Sequence, residues 1–294
     1  NYYFSDVGLA FADELLKVTN FERGFFGNSG AEANEAAIKL ARKYGFLNGG
    51  EKRKTIVTLE SSFHGRTMAT LTATGQDKFH PECFGPYVEG FKTIRANDFD
   101  SLENAFDDST AALFLECIQG EGGVNIIDEK WAKAAAEAAR KAGAIVMCDE
   151  VQTGIGRTGT FLASDWLGIE PEVVTLAKGI AGGIPMGACL MRGKAADVFS
   201  AGDHQSTFGG NPLACAAGKV VVETVSDWDF LNRVNQAGDY IRSVISSWNL
   251  PIVKQVRGKG LMIGTQLVPE VKPFDVEIRC LEKGLCTTVA GSDV

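Results

Sequence analysis

Histidine is almost missing from this chain of 294 residues, which has only His64, His80 and His204. His80 and Cys83, in His80-Pro81-Glu82-Cys83, put two metal-liganding side chains at short spacing. No second cysteine or histidine pair joins them, so they do not make a zinc site. The seven cysteines are odd in number and scattered, with no CxxC pair. Cys148 and Cys189 fall inside apolar runs and read as small core residues, as expected for a protein of a reducing cytoplasm. Positive charge is in deficit: 29 Lys and Arg against 37 Asp and Glu give a net charge of -8. That balance argues against nucleic acid or an anionic membrane surface as the main partner. No run of eighteen or so apolar residues is present, so no membrane-spanning helix is expected. No charged-then-apolar leader is visible, which carries little weight in a chain beginning at Asn1.

What is present is an alternation of strand and helix. Gly24 to Asn28, Thr55 to Leu59, Ala111 to Leu115, Ala144 to Cys148, Val173 to Leu176 and Ala188 to Met191 read as short strands. Gly30 to Tyr44 and Glu129 to Lys141 read as helices, the first with alanines on its packing face. Strands that are apolar throughout predict an α/β fold, a mostly parallel sheet covered by helices on both faces. Asn211-Pro212 opens a further helix through Thr224, with Asn as cap and Pro in the first turn. The length suits two domains, or one large domain and a piece of a second. After about Ser226 the character shifts, to a helix from Leu231 to Ser247 and alternating runs at Gly260 to Leu267 and Leu285 to Val289. The division expected is a large domain over 1–225 and an incomplete smaller α/β domain over 226–294, with the chain a fragment. There is no internal repeat and no low-complexity linker.

The chemistry sits at two strand ends. Ala144-Ile-Val-Met-Cys-Asp149 closes an apolar strand on a carboxylate, and Thr175-Leu-Ala-Lys178 closes another on a lone lysine. A lysine that forms a Schiff base with an aldehyde, and a carboxylate that keeps a pyridinium nitrogen protonated, are the two halves of pyridoxal-phosphate chemistry. A phosphate site is on offer at Asn28-Ser29-Gly30-Ala31-Glu32, where Ser29 and Glu32 make a capping pattern and Gly30 permits close approach. Any strand-to-helix turn carries such residues, so the motif alone does not decide. Phe63-His64-Gly65-Arg66 follows a strand end; its aromatic could stack on a flat ring and its arginine could grip a carboxylate. Taken alone, the motif is better explained as a core Phe and a surface Arg. Gly154-Ile-Gly-Arg-Thr-Gly159 matches the dinucleotide fingerprint, with Glu172 where a ribose-binding acid belongs. It neither follows its strand at once nor opens a helix, so nicotinamide binding is not expected.

Read together, Asn28-Ser-Gly-Ala-Glu-Ala-Asn-Glu-Ala-Ala, Phe63-His-Gly-Arg-Thr, Asp149-Glu-Val-Gln-Thr-Gly-Ile-Gly-Arg-Thr-Gly, Leu176-Ala-Lys-Gly and Ser206-Thr-Phe-Gly-Gly-Asn-Pro-Leu-Ala resemble, in order and through nearly the whole chain, the class III pyridoxal-phosphate-dependent aminotransferases of fold type I. Phe63 to Ile94, with Ala73-Thr-Gly-Gln and Gly90-Phe-Lys, is similar to the acetylornithine and ornithine aminotransferase group.

The resemblance implies a role for each residue. Lys178 is the Schiff-base lysine and Asp149 the pyridinium partner. Val151 and Phe63 sandwich the ring, and Gln152 meets the ring oxygen. Ser29, Gly30 and Ala31 cup the phosphate, and His64 belongs to the same cofactor shell. Thr207 contacts the phosphate of the neighbouring subunit, so a homodimer with shared active sites is implied. Arg66 clamps the α-carboxylate of glutamate or 2-oxoglutarate. Glu116 and Glu121 match the family's glutamates, Glu121 as a gate whose arginine partner belongs beyond Val294. Cys117 stands where the family usually has proline, and freedom from a fixed φ implies a looser loop there. The family's N-terminal, pocket-lining segment belongs before Asn1, and Tyr2 and Tyr3 resemble residues near the pocket mouth.

The implied reaction is ping-pong transamination of an ω-amine, foremost N-acetylornithine, to 2-oxoglutarate, with Lys178 carrying the proton. Ornithine, succinylornithine, lysine and 4-aminobutyrate remain alternative donors. Rivals outside that set are a glutamate-semialdehyde aminomutase and an inactive chain that keeps or has lost the cofactor.

Overall fold

The computed structural model describes Tyr3 and residues 5–294. Tyr2 therefore lies outside the described residues, and Tyr3 is exposed. Helix α1 (Asp6–Thr19) leads into strand β1 (Arg23–Gly27), helix α2 (Gly30–Gly49), β2 (Thr55–Leu59), the short α3 (Met68–Ala73), β3 (Phe91–Ile94) and β4 (Thr110–Glu116). A two-residue ribbon, β5 (Ile118–Gln119) with β6 (Asn125–Ile126), precedes α4 (Glu129–Lys141), β7 (Ile145–Asp149), α5 (Ala163–Leu167), β8 (Val173–Leu176) and β9 (Gly187–Met191). Helices α6 (Pro212–Val225) and α7 (Trp228–Ser247), the hairpin β10 (Val253–Lys259) and β11 (Met262–Leu267), and α8 (Pro273–Glu282) complete the chain.

Seven strands form one sheet in the order β1-β9-β8-β7-β4-β2-β3. Only β9 is reversed; the pairs from β8 through to β3 are all parallel. This is the α/β architecture of the large, mostly parallel sheet, and its cause is plain in the strands. Every residue of β4, β7, β8 and β9 is buried, so neither face of the central sheet tolerates water. One face carries α2, whose Ala37, Leu40 and Ala41 pack on Phe114, Met147 and Val173. Small residues let this long helix lie close. The other face carries α1, α4 and α6, with Trp131 fully buried among Leu113, Val146 and their neighbours.

Local chemistry sets the helix starts. Asp128, Asn211 and Asp227 each accept an N–H of the first turn, at 2.9 Å in all three cases. Among the described residues no helix is long and apolar enough to cross a membrane.

Register brings three strand ends together. Glu116 pairs with Asp149, and Asp149 with Thr175, so β4, β7 and β8 finish side by side at their carboxyl ends. In open α/β sheets that edge is where ligands bind. The run Leu285 to Val289 is not a strand. After α8 the chain turns at Gly284 (φ 83°), the N–H of Leu285 closes on Cys280, and the next residues find no ladder partner. Alternating hydrophobicity makes a strand only where a neighbour completes its hydrogen bonds. Helices α1, α3, α5 and α8 and strands β3 and β10 are elements that the sequence pattern does not announce.

Candidate active site

A cavity of about 480 Å³ opens at the carboxyl edge of the sheet. Its wall includes Asn28, Ser29, Gly30 and Ala31 from the start of α2, and Phe63, His64 and Arg66 from the loop after β2. Glu116 and Glu121 come from the end of β4 and the ribbon beyond it. Asp149, Val151, Gln152 and Lys178 complete the set. Twelve predicted site residues thus share one space, from positions far apart in sequence.

Asp149 is 4% exposed and accepts three hydrogen bonds. Its Oδ2 accepts from Asn34 Nδ2 at 2.7 Å and from His64 Nδ1 at 2.8 Å, and its Oδ1 accepts from the Val151 backbone N–H at 3.0 Å. Sequence reasoning missed Asn34. Its spacing four residues after Gly30, which puts both on one face of α2, was the available signal. His64 lies in the wall without exposing its ring. Its imidazole is fully buried, lies stacked on Phe114 at 4.2 Å, and reaches the site through Asp149.

Lys178 follows Ala177 at the end of β8 and adopts φ 48°, in the left-handed region where a non-glycine residue is strained. That turn lifts the lysine off the sheet. The side chain stands open to the cavity rather than buried, and its charge acts on Glu116. Ala177, Ile184, Pro185 and Met186 line the cavity beside it. They carry no ionisable group, so nothing in the sequence marked them.

The turn at Ser29, Gly30 and Ala31 is close-packed. A Cβ on Gly30 would lie 2.7 Å from Val151 Cγ1, and one on Gly187 would lie 2.1 Å from the Ser29 carbonyl oxygen. At Gly187 the backbone leaves room only for glycine, and at Gly30 any larger residue would require Val151 or the turn to shift. Ser29 Oγ accepts the Glu32 N–H at 3.2 Å, while the Glu32 carboxylate reaches back to the Asn28 N–H at 2.9 Å. The first-turn N–H groups of Gly30 and Ala31 belong to the set that a helix start leaves without intrahelical partners, the ordinary basis of anion binding.

On the opposite side the contacts are looser. Gln152 Nε2 donates to Glu121 Oε1 at 3.5 Å, and Gln152 packs so tightly on Gly120 that a Cβ there would overlap it. Arg66 is exposed, with its guanidinium 5.2 Å from the Phe79 ring centroid. Phe63 donates its N–H to Glu116 Oε2 at 2.9 Å and meets Phe79 edge-on. Burial first, and the neighbouring Asp149 second, push the Glu116 carboxyl well above the ordinary carboxylate range.

Thr207 is not in this cavity. It is exposed and lines a separate hollow of about 350 Å³ that shares Asn28 with the first. Nor is the loop at Cys117 loose. Cys117 is fully buried, its carbonyl accepts the Ile127 N–H at 3.2 Å, and its thiol is pushed up by a hydrogen bond with Cys148 and by burial. Packing restrains the backbone where a proline ring would have done so.

The Gly154–Gly159 and His80–Cys83 motifs make other contacts. No helix opens at Gly154–Gly159; Gly156 lies against Val225 and Gly159 against Asn235, while Glu172 accepts the Val146 N–H at 2.8 Å. His80 Nε2 bonds the Leu71 carbonyl at 2.7 Å, and among the described residues no cluster of three or more His, Cys, Asp or Glu could hold a metal ion.

Comparison with known proteins gives the same direction. The family model for aminotransferase class-III matches residues 1–294. The chain is 45% identical over 287 residues to an acetylornithine aminotransferase of Caldanaerobacter subterraneus subsp. tengcongensis, covering 97% of this chain and 72% of that protein. It is 40% identical over 295 residues to the acetylornithine aminotransferase of Methanocaldococcus jannaschii, with 98% and 73% covered. In fold it is similar to the ornithine aminotransferase of Toxoplasma gondii, with a TM-score of 0.92, 31% identity, and 99% and 71% of the chains covered. The N-acetylornithine aminotransferase of Stenotrophomonas maltophilia superposes with a TM-score of 0.84 at 34% identity, over all of this chain and 73% of that one.

Proposed function

This chain belongs to the class-III aminotransferase family, whose members are pyridoxal-phosphate-dependent transaminases, and from that premise we propose that it moves the terminal amine of N-acetylornithine to 2-oxoglutarate, giving the semialdehyde and glutamate. The observation that carries the reading is the single cavity lined by Asp149, Lys178 and the glycine cradle at Gly30. The residues fit the cofactor on three counts. A helix start with close-packed glycines suits a phosphate, a hydrogen-bonded carboxylate suits a ring nitrogen, and a solvent-open lysine suits an aldehyde.

In this reading Gly30 and Ala31 hold the phosphate by their N–H groups, with Ser29 fixing the turn. Val151 and Phe63 flank the ring, Gln152 meets its oxygen, and Asp149 sits at its nitrogen. When bound, pyridoxal phosphate supplies an electron sink for the carbon that bears the reacting amine. Lys178 Nζ takes and returns the proton at that carbon, and Asp149 holds the ring-nitrogen proton through the reaction. Arg66 takes the carboxylate of the 2-oxo acid, released from its resting place over Phe79. Glu116 and Glu121 face the amine donor. Because one site serves two substrates in turn, ping-pong kinetics result.

N-Acetylornithine as donor is supported by the several acetylornithine aminotransferases at 40–46% identity. The likeness in fold to an ornithine aminotransferase makes ornithine the second donor to compare. A homodimer in the cytoplasm belongs to the same reading. Thr207 is exposed beside exposed Phe208 and Leu213, as suits a residue serving a neighbouring subunit, and the seven free cysteines suit a reducing compartment.

The test is a set of single half-reactions with acetylornithine, ornithine, succinylornithine and 4-aminobutyrate, read by the cofactor absorbance. Fastest conversion by acetylornithine is expected. Conversion by none of the four, in protein that has taken up the cofactor, would overturn the proposal.

A further inference from the structure

Thr207 and the turn at Gly30 lie in separate hollows, and Asn28 lines both. It stands between β1 and α2, with the large cavity on one side and the hollow of Thr207, about 350 Å³, on the other. Its Nδ2 carries two hydrogens, and each has an acceptor. One is Glu32 Oε2 at 2.9 Å, the other Ser206 Oγ at 3.1 Å. Glu32 Oε2 also accepts the Asn28 backbone N–H at 2.9 Å, and the Glu32 N–H donates to Ser29 Oγ at 3.2 Å. Ser29 and Ser206, far apart in sequence, are thus joined through Glu32 and Asn28.

The turn that carries Thr207 rests on the same segment from its other flank. The Gly209 N–H donates to Ser206 Oγ at 3.1 Å, which closes the turn. A Cβ on Gly209 would lie 2.0 Å from the Phe26 carbonyl oxygen, so the turn presses on the end of β1 and leaves room there only for glycine. Thr207 and Phe208, between these two fixed flanks, are exposed.

The approach to the turn is tied down as well. The Asp203 carboxylate accepts the Ser200 N–H and pairs with Lys43 of α2, while the Asp203 carbonyl accepts from Lys39 of the same helix. The His204 ring meets Phe25 of β1 edge-on at 4.5 Å and stacks on Phe199 at 5.7 Å. An exposed tip on a tethered base suits a side chain offered to another molecule, because ordering it in advance lowers the entropy lost on docking.

We propose that Asn28 and Ser206 are positioning residues that act across the dimer: their hydrogen bond seats the Thr207 turn on the start of α2, and so holds Thr207 out to the phosphate of the neighbouring subunit. The start of α2 then serves two sites, its own through Gly30 and Ala31 and the neighbour's through Asn28. Resting on the assignment of Thr207 to a neighbouring phosphate, this adds the residues that make Thr207 competent. Ser206 works only through Thr207, so its loss is felt at the other subunit's site and not at its own.

The test uses mixed dimers of the whole chain in which one subunit carries Lys178→Ala, so that the cofactor absorbance band reports the other subunit's site alone. Ser206→Ala is placed either on the Lys178→Ala subunit, in trans to the reporting site, or on the subunit that keeps Lys178, in cis. Pyridoxal phosphate is titrated into each. In trans the dissociation constant is expected to rise about three- to tenfold, the size of one net hydrogen bond, and in cis to stay within about twofold. Ser206→Thr keeps the hydroxyl and is expected to restore the trans affinity. Asp203→Asn, which weakens the outer tether, is expected to give a trans loss of about two- to threefold, and decides the matter if the Ser206→Ala chain does not fold. Losses equal in cis and trans, or confined to cis, would overturn the proposal. A trans loss from Thr207→Ala with none from Ser206→Ala or Asp203→Asn would overturn it while leaving the role of Thr207 intact. No trans loss from Thr207→Ala, or a protein that stays monomeric with pyridoxal phosphate bound, would remove that role and the proposal with it.

Discussion

Asp149 and Glu121 stand on the wall of one cavity, and the chain builds them in opposite ways. Asp149 closes a strand inside a seven-stranded sheet, accepts three N–H groups from three directions and is almost wholly buried. Glu121 rides on the ribbon loop between β5 and β6, half-buried, its carboxylate accepting a long hydrogen bond from Gln152 at 3.5 Å. That loop is strained, since Val124 adopts φ 54°, a rare state for a β-branched residue. It is held from outside: Arg257 of β10 donates to the Gly123 carbonyl at 3.0 Å and to the Val124 carbonyl at 3.2 Å. A second, apolar cavity of about 630 Å³ beside the hairpin shares Glu121 and Gln152 with the first. In the proposed reading, the carboxylate that meets the cofactor is thus set by the sheet, and the glutamate that faces the amine donor by a loop. A fold that keeps one chemistry while choosing among similar amines needs that division.

The comparison can be broken most sharply at the sheet end. Asp149→Ala removes the charge opposite the ring nitrogen, and a half-reaction rate lower by about a hundredfold or more is expected, with some cofactor still bound. A loss under tenfold in stopped-flow absorbance would mean that the carboxylate is not the electrostatic centre. Next comes Gly30→Ala. Its Cβ would stand 2.7 Å from Val151, so Val151 or the cup must shift, and cofactor affinity is expected to fall about tenfold by titration. Unchanged affinity would place the phosphate elsewhere.

At the loop end the expected effect is smaller and differently distributed. Glu121→Gln is expected to change the KM for the amine donor by several-fold while leaving cofactor affinity within about twofold, a cost of under about half a kcal/mol. Equal losses in both would erase the distinction between the two ends. Arg257→Ala, acting through the Gly123 and Val124 carbonyls, is expected to reproduce the Glu121→Gln pattern more weakly, and a wild-type donor profile would show that the hairpin does not set the loop.

The same division explains what could be read from the sequence. Parallel strands are legible because burial on both faces forces continuous apolar runs, as in Ala112 to Leu115 and Val173 to Leu176. Asp149 and Lys178 stand out because each ends such a run, and Ser29-Gly30 because it comes after a strand and opens a helix. What joins the parts is not legible. The link from Asn34 through Asp149 to His64 spans three elements, and no local pattern records a hydrogen bond between residues 115 positions apart. The family resemblance puts His64 in the cofactor shell, and only the fold puts its ring on Asp149 rather than in the open cavity. Leu285 to Val289 misleads because a strand is defined by its partner. Cys117 misleads because only the fold reveals that Cys148 lies beside it.

The most direct measurement is reductive trapping. Borohydride treatment of the cofactor-loaded protein, digestion and peptide mass spectrometry would locate the lysine to which pyridoxal phosphate becomes attached. The added mass is expected on Lys178 alone, and to vanish with the absorbance band in Lys178→Ala. A label on any other lysine, or an undiminished band in that variant, would contradict the account.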